Sequence, residues 1–314
     1  MASIAFPSHA KKAKLSDGTQ YGYVYVPAEP GKPTLLLLHG FPSSSYDWRY
    51  QINHLPKSGY GVLVPDLLGY GDTDKPSDVE SYTLKKIGVH LDELLTIEKL
   101  DKVIGVGHDF GSMLLTHLTI YWKSRLSAAA FVAVGFMDPS VRLDVAAVNA
   151  YTKEVTGESA LGYIAYFMTD DAVATVNSAP KTIDSILYAA DAKDFRHYLG
   201  AEGALETALK NGTIVKQDSG LGGYQGPLNW YRVLVNLTPS EDDKVLTEEQ
   251  KEFSFPTLFV MTQKDHVIDP ENQLQTTSRY ARNIHVERLD TGHWAHLEKK
   301  DEFEKLFDQW LEKL

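Results

Sequence analysis

The sequence feature that most constrains the fold is the tight turn Gly105–Gly111, which lies between two apolar segments. Val103–Val106 is short and rich in β-branched residues, whereas Phe110–Tyr121 is longer and almost continuously apolar. A short apolar run, a glycine-rich turn and a buried helix together indicate a strand–turn–helix unit in a mostly parallel sheet. The turn has the pattern Gly-x-nucleophile-x-Gly, in which small residues relieve crowding and the central side chain is exposed at the strand end. That side chain is Asp109, so a carboxylate occupies the nucleophile position.

Two other interpretations of this turn are open. Gly105, Gly107 and Gly111 resemble a dinucleotide-binding glycine loop, but their spacing is one residue too long and Asp109 would face the pyrophosphate. Asp109 could also be an ordinary helix-capping residue. The choice depends on whether partners for a catalytic carboxylate follow at the ends of later strands.

The rest of the chain alternates strand and helix patterns, which predicts an α/β fold. The turn pair Asp17–Gly18 predicts an antiparallel hairpin between Lys12–Leu15 and Tyr21–Val26, and Ser81 is the expected N-cap of an amphipathic helix. The other strands that we expect are Thr34–Leu38, Tyr60–Pro65, Val103–Gly107, Ala128–Phe136, Pro256–Met261 and Asn283–Leu289, with helices around Trp48–Leu55 and over Phe303–Leu314.

Residues 138–240 interrupt this alternation, because they contain helical patterns and no strand pattern as clear as the earlier ones. We therefore predict a core domain built from residues 1–137 and 241–314, with a mostly parallel sheet flanked by helices. Residues 138–240 form a helical cap domain in this prediction, inserted after the strand at 128–136.

Two later strand ends carry the partners that a catalytic carboxylate needs. Asp265 follows the strand pattern at 256–261, and His293 follows the pattern at 283–289. Loops beyond the carboxyl ends of parallel strands gather at one place, so Asp109, Asp265 and His293 are expected to meet. Their chain order is nucleophile, acid, base, as in hydrolases with this arrangement. His293 and His296 could suggest metal ligands, but no third ligand lies nearby in the sequence, and we expect no metal.

The turn His39–Pro42 follows the expected strand Thr34–Leu38. Backbone N–H groups of Phe41 in this turn and of Phe110, directly after the nucleophile, would converge on an oxyanion. Alone the motif is an ordinary turn that contains proline; together with Asp109 it predicts an oxyanion hole.

These motifs carry a resemblance to a known family. With His39-Gly-Phe-Pro42, Asp66-x-x-Gly-Tyr-Gly71, Gly107-His-Asp-Phe-Gly111, Asp265 and Gly292-His293-Trp294, the chain resembles the epoxide hydrolases of the α/β-hydrolase fold over nearly its whole length. Leu228–Arg232 is similar to the cap motif of that family, which implies that Tyr231 binds the epoxide oxygen. Tyr163–Phe167 is similar to the segment with the second such tyrosine, which would be Tyr163, with Tyr166 as the alternative.

The resemblance also implies that His39, Pro42 and Trp230 contact the substrate. The chain departs from the family pattern at Phe110, where many relatives have Trp, and at Met168–Asp171, where many have Gln-Glu-Pro-Gly. These departures leave the substrate range and the register of the cap open, and they do not affect the residues that would perform the chemistry.

The resemblance implies an enzyme that converts a hydrophobic epoxide to a vicinal diol without a cofactor. Asp109 would form an ester with the opened ring, and His293, oriented by Asp265, would activate the water that hydrolyses it. A dehalogenase with the same Asp–His–Asp triad is one alternative. A hydrolase-like receptor for a small apolar ligand is another, because a fold alone does not establish activity.

Composition limits the partners. The 314 residues carry a formal net charge of −11, which argues against nucleic acid and anionic membranes as partners. The chain has no cysteine, and its N-terminal residues lack the layout of a signal peptide, so we expect a cytoplasmic protein. The expected partners are a small hydrophobic epoxide and water, with a homodimer left open.

Overall fold

The computed structural model describes residues 2–189, 192–215, 225–236, 241–265 and 268–314. Eight strands form one sheet, in which β1 and β2 are antiparallel to their neighbours and β3 to β8 are parallel. The order across the sheet is β1, β2, β4, β3, β5, β6, β7, β8. The strands are β1 Ala10–Lys14, β2 Gln20–Val26, β3 Thr34–Leu38, β4 Gly61–Pro65, β5 Val103–His108, β6 Leu126–Val132, β7 Thr257–Thr262 and β8 Ile284–Leu289. This sheet confirms the predicted α/β-hydrolase fold class.

Sixteen helices are found in the described residues. They are α1 Ala2–Ala5, α2 Arg49–His54, α3 Leu84–Ile97, α4 Phe110–Tyr121, α5 Val145–Thr156, α6 Gly162–Phe167, α7 Ala172–Ser178, α8 Pro180–Leu187, α9 Ala192–Gly200, α10 Ala204–Asn211, α11 Gln225–Asn236, α12 Glu241–Lys244, α13 Glu248–Lys251, α14 Pro270–Tyr280, α15 Ala295–Glu298 and α16 Lys300–Leu311. Short 3-10 turns at Ser45–Trp48 and Leu55–Ser58 extend α2 at both ends. The described part of 138–240 contains α5 to α11 and none of the eight strands, whereas the boundaries of the cap domain stay a prediction.

The central strand β3 shows why a continuous apolar run suits this sheet. All five of its residues are buried. Leu36 and Leu38 pack into the core on one face, and Leu35 and Leu37 pack into the core on the other. Because successive side chains of a strand point to opposite faces, a strand covered on both sides must be apolar throughout. The core that contains Leu36 also contains cap residues such as Phe167, so the cap packs on that side of the molecule.

Two predicted boundaries were wrong. The strand expected at 128–136 ends at Val132, because Ala133 has a φ of 62°, outside the range of an extended strand. Ser81 does not cap the following helix: it lies in the short turn Glu80–Tyr82, and its backbone N–H donates to Asp78. Helix α3 begins at Leu84 and has Thr83 as its N-cap residue.

A buried ion pair joins the chain where it leaves the core sheet to the point where it returns. Lys251, just before β7, places its Nζ 2.7 Å from Oδ2 of Asp138, which lies shortly after β6. The hydroxyl of Tyr280 also donates to this carboxylate oxygen at 2.8 Å. The Lys251 side chain is only 4% exposed, so the pair is held away from water and fixes the two ends of the inserted segment together.

Candidate active site

The turn at Asp109 has the geometry that its glycines predict. Asp109 separates β5 from α4 and has φ 54° and ψ −122°, an unusual conformation for a residue with a side chain. A Cβ atom added at Gly107 would lie 2.5 Å from the carbonyl oxygen of Gly111, and one added at Gly111 would meet the carbonyl oxygen of Leu38. A Cβ at Gly40 would meet the carboxylate of Asp109 itself. The close approach of three backbone segments therefore requires glycine, and it directs the Asp109 side chain to the end of the sheet.

The structure brings the three predicted catalytic residues together. His293 Nδ1 lies 2.7 Å from Oδ2 of Asp265, and His293 Nε2 lies 3.5 Å from Oδ2 of Asp109. Thr262, the last residue of β7, donates its hydroxyl to the Asp265 carboxylate at 3.0 Å. The imidazole of His293 thus lies between two carboxylates, with one nitrogen directed at each.

This position determines the charge of His293. Burial favours the neutral imidazole, but the two adjacent carboxylates outweigh it and raise the pKa of His293 to about 10. Burial alone would raise the pKa of Asp109, yet the hydrogen bond and charge of His293 hold it below its ordinary value. At neutral pH the site therefore contains a carboxylate at Asp109 and an imidazolium at His293.

A backbone donor already binds the Asp109 carboxylate. The N–H of Phe41 donates to Oδ1 of Asp109 at 2.9 Å. Phe110 is the first residue of α4, so its N–H belongs to the helical turn in which such groups have no acceptor within the helix. Oδ1 thus lies at the predicted oxyanion hole, whereas Oδ2 lies on the side of His293.

Two cap tyrosines face Asp109 across a small cavity. Tyr163 of α6 and Tyr231 of α11 have ring centroids 5.5 Å apart, with the ring planes nearly perpendicular. The cavity is lined by Phe41, Asp109, Tyr163, Leu187, Leu199, Tyr231, His293 and Trp294. Its volume is about 20 Å³, which is room for roughly one water molecule.

The two phenols stay protonated at neutral pH. Burial raises the pKa of both Tyr163 and Tyr231, and the negative charge of Asp109 raises them further. The ring of Tyr231 is fixed by edge contacts with Phe41 and Phe110, at centroid distances of 4.8 and 4.9 Å. Tyr166 is not among the residues that line the cavity. Of the two candidates for the second tyrosine, the geometry therefore favours Tyr163.

The three residues expected to contact the substrate do not line the cavity. His39 is fully buried: its Nδ1 donates to the carbonyl oxygen of Gly40, and its Nε2 accepts from the N–H of Leu67. Trp230 is also buried and donates its Nε1–H to the carbonyl oxygen of Leu68 at 2.9 Å. Pro42 is buried in the turn after Phe41. These side chains support the residues that face the cavity.

Three other residues of the cavity wall were missed by the sequence analysis. Leu187 and Leu199 come from cap helices, where apolar residues at helical spacing give no signal that separates a cavity wall from ordinary core. Trp294 follows His293 directly, and its Nε1–H donates to the carbonyl oxygen of Leu187 at 3.3 Å. The sequence signals for Trp294 were its adjacency to the predicted base and its place in the motif Gly292-His293-Trp294, neither of which gave it a role in the cavity wall.

The described part of the chain contains no group of three or more His, Cys, Asp or Glu side chains arranged to hold a metal ion. Within the same residues, no helix has the length and apolar character needed to cross a membrane.

Comparison with known proteins agrees with the sheet. The sequence matches the α/β hydrolase fold family over residues 33–300. It is 27% identical to bifunctional epoxide hydrolase 2 of Mus musculus over 299 residues, covering 89% of this chain and 52% of the mouse protein, so the chain spans about half the length of that relative. It is 28% identical to epoxide hydrolase A of Mycobacterium tuberculosis over 296 residues, covering 87% of this chain and 88% of that protein.

A solved structure shows the same fold. The crystal structure of epoxide hydrolase A from Mycobacterium thermoresistibile has a TM-score of 0.76 to this chain at 23% identity, covering 96% of this chain and 98% of that one. The family match, the sheet order and the nucleophile turn agree with one another, and the protein belongs to the α/β hydrolase fold family.

Proposed function

We propose that the protein is an epoxide hydrolase that converts a hydrophobic epoxide to a vicinal diol. One observation carries the proposal: the ionised carboxylate of Asp109 faces two protonated phenols, Tyr163 and Tyr231, across an otherwise mostly apolar cavity. A carboxylate can attack ring carbon while the phenols donate to ring oxygen. The relatives in Mus musculus and Mycobacterium tuberculosis are named epoxide hydrolases, which supports this assignment.

The first step is ring opening by Asp109. Its Oδ1 is held at the oxyanion hole by the N–H of Phe41, so we assign Oδ2, on the side of His293, as the oxygen that attacks carbon. Oδ2 bonds to a ring carbon as the carbon–oxygen bond of the epoxide breaks, and the departing oxygen takes a proton from the Tyr163–Tyr231 pair. The products are an alkyl ester of Asp109 and a phenolate at one of the two tyrosines.

The second step is hydrolysis of this ester. Ester formation removes the negative charge of Asp109, one of the groups that hold the proton on His293. His293 then gives up its proton as the phenolate regains one, which leaves a neutral imidazole able to act as a base. Water loses a proton to Nε2 and attacks Cγ of Asp109. The new oxyanion forms at Oδ1, where Phe41 already donates at 2.9 Å.

Collapse of the tetrahedral intermediate completes the cycle. The bond between Oδ2 and substrate carbon stays intact, the bond between Cγ and Oδ2 breaks, and the departing alkoxide takes the proton from His293. The diol leaves with Oδ2 of Asp109 as one of its oxygens. Asp109 then carries one oxygen from water, and ionisation of the regenerated acid returns a proton to His293.

This oxygen exchange provides the test. In a single turnover in heavy-oxygen water, with enzyme in excess over styrene oxide, the first diol should contain only light oxygen. In later turnovers, heavy oxygen should appear in the diol. Mass spectrometry of both diol pools distinguishes the mechanisms, since direct attack of water on the epoxide would place heavy oxygen in the first product. Heavy label in that first diol would refute the covalent route through Asp109.

The remaining expectations stay part of this proposal. We propose a cytoplasmic location, supported by the lack of cysteine. The cavity walls contributed by Leu187, Leu199 and Trp294 support an apolar substrate. The cavity has room for about one water molecule, so we propose that the residues that line it move apart when an epoxide enters.

A further inference from the structure

A cluster of buried polar atoms lies next to the catalytic histidine and contacts it through the ring of His108. Its members are Ser45, Trp48, Gln51, His108 and His296, which we call the buried polar cluster. Each of these side chains is at most 1% exposed. None of the following atoms has a hydrogen-bond partner within the described structure: Ser45 Oγ, Trp48 Nε1, both amide atoms of Gln51, His108 Nδ1 and both ring nitrogens of His296.

Sequence spacing places three of these side chains on one surface. Ser45, Trp48 and Gln51 are three residues apart on the helical segment formed by the turn Ser45–Trp48 and α2, so they share a face. The rings of Trp48 and His296 stack with centroids 4.5 Å apart. This face of the helical segment is therefore directed at His296.

A row of histidine rings connects the cluster to the catalytic base. The ring centroid of His296 lies 4.7 Å from that of His108, which lies 4.8 Å from that of His293. His108 Nε2 lies 2.9 Å from the backbone carbonyl oxygen of His293, so Nε2 must carry the proton and donate it. Burial lowers the pKa of His108 to about 4 and also lowers the pKa of His296, so both rings are neutral at neutral pH.

The chemistry of these atoms selects the ligand class. Trp48 Nε1–H is a donor only, His108 Nδ1 is an acceptor only, and the hydroxyl, amide and neutral imidazole of the others supply both kinds of group. No charged member is present to hold an ion. Water is the small neutral ligand that can both donate to and accept from such a set, and buried polar groups without protein partners are ordinarily paired with ordered water.

We propose that the buried polar cluster is a hydration site, and that its water donates to His108 Nδ1 and thereby positions the catalytic His293. The tautomer of a neutral imidazole is set by the hydrogen bond that its other nitrogen makes. A donor at Nδ1 keeps the proton of His108 on Nε2, where it holds the carbonyl oxygen of His293. His108 and His296 are positioning residues in this inference, which rests on the proposed function only for its effect on rate.

The first experiment needs no substrate. A high-resolution crystal structure of the full chain should show at least one ordered water bonded to His108 Nδ1 and to other cluster atoms. Imidazole ¹⁵N NMR should show His108 with its proton on Nε2 and with an Nδ1 that accepts a hydrogen bond in the wild type, and the Nδ1 resonance should move toward that of an unbonded acceptor in His296→Phe. Direct bonds between these side chains without water, or an unchanged Nδ1 resonance in His296→Phe, would overturn the hydration site.

The second experiment separates positioning from packing. Phe retains a ring to stack on Trp48, so His296→Phe should fold. In single turnovers of styrene oxide, it should leave ester formation unchanged and slow ester hydrolysis about tenfold, because only hydrolysis uses His293 as a base. Ile52→Val, a buried apolar change in α2 next to the cluster member Gln51, should affect neither rate.

Two results would overturn the positioning role: an equal loss in both rates of His296→Phe, or no loss in either. A wild type that turns over no epoxide at all would refute the proposed function, whereas the crystal structure and the NMR spectra would still decide the hydration site.

Discussion

The charge coupling between Asp109 and His293 gives the sharpest quantitative prediction. In Asp109→Asn the side chain keeps its shape but loses its negative charge, as it does in the ester intermediate. Oδ2 of Asp109 lies 3.5 Å from Nε2 of His293. At an effective dielectric constant of about 20, unit charges at this separation interact by about 5 kcal/mol, or roughly three orders of magnitude in an acid dissociation constant.

We therefore expect the pKa of His293 to fall from about 10 in the wild type by a comparable amount in Asp109→Asn. The imidazole would change from fully protonated at neutral pH to a base that titrates close to neutrality, which is what general-base catalysis requires. Formation of the ester would therefore lower the pKa of His293 and convert it into the general base that hydrolyses the ester.

Imidazole NMR titration of both proteins measures this change, with mass spectrometry to verify that the asparagine stays intact. Asp17→Asn is the matched control, because Asp17 pairs with a different buried histidine, His90, at 3.0 Å. It should leave the titration of His293 unchanged. If His293 titrates at the same pH in Asp109→Asn as in the wild type, the coupling is absent and the proposed order of events is refuted.

Three further perturbations test other parts of the molecule. Tyr231→Phe should slow ester formation by about a hundredfold in rapid-quench assays, whereas Tyr166→Phe, outside the cavity lining, should not; equal rates would contradict the role of Tyr231. Lys251→Met leaves the Asp138 carboxylate without its buried partner and should lower the free energy of unfolding in urea by about 3 kcal/mol. Lys85→Met should lower it by less than about 1 kcal/mol, because the Lys85 side chain is 37% exposed. Similar losses in both variants would argue against a stabilising buried ion pair at Lys251. The raised pKa of His293 means that its charged form adds to the free energy of unfolding, fully below the ordinary pKa of 6.5 and progressively less as the pH rises through about 10. The free energies of unfolding of wild type and His293→Gln should therefore converge as the pH approaches 10. A constant difference across that range would contradict the raised pKa.

Patterns among adjacent residues explain which parts of the site could be predicted from the sequence. The Gly-x-Asp-x-Gly turn, the apolar strand before it and the helix after it are properties of adjacent residues, so they identified Asp109 as a candidate nucleophile, and the partners at later strand ends favoured that interpretation. Parallel strands place their ends at one edge, so Asp265 and His293 were expected near Asp109, and the structure places them there. Ser81 shows the limit of local signals: its N–H is taken by Asp78, and the helix starts only after that turn.

The cap shows what local patterns leave undecided. Tyr163 and Tyr166 lie three residues apart on the same short helix and differ little as sequence positions. Packing of that helix against α11 directs Tyr163 at Tyr231 and leaves Tyr166 outside the cavity. The packing of the other cap helices decides that Leu187 and Leu199 form a cavity wall and that Trp230 does not.

The sequence by itself determined the sheet, the order of nucleophile, acid and base, and the presence of an inserted helical segment, because strand and helix periods and turn chemistry are encoded over a few residues. Only the tertiary structure decided the charge of His293, the size of the cavity and the row of rings from His293 to His296, because these depend on distances between groups far apart in the chain. Electrostatic energy and burial are properties of that three-dimensional arrangement, and no single stretch of residues contains them.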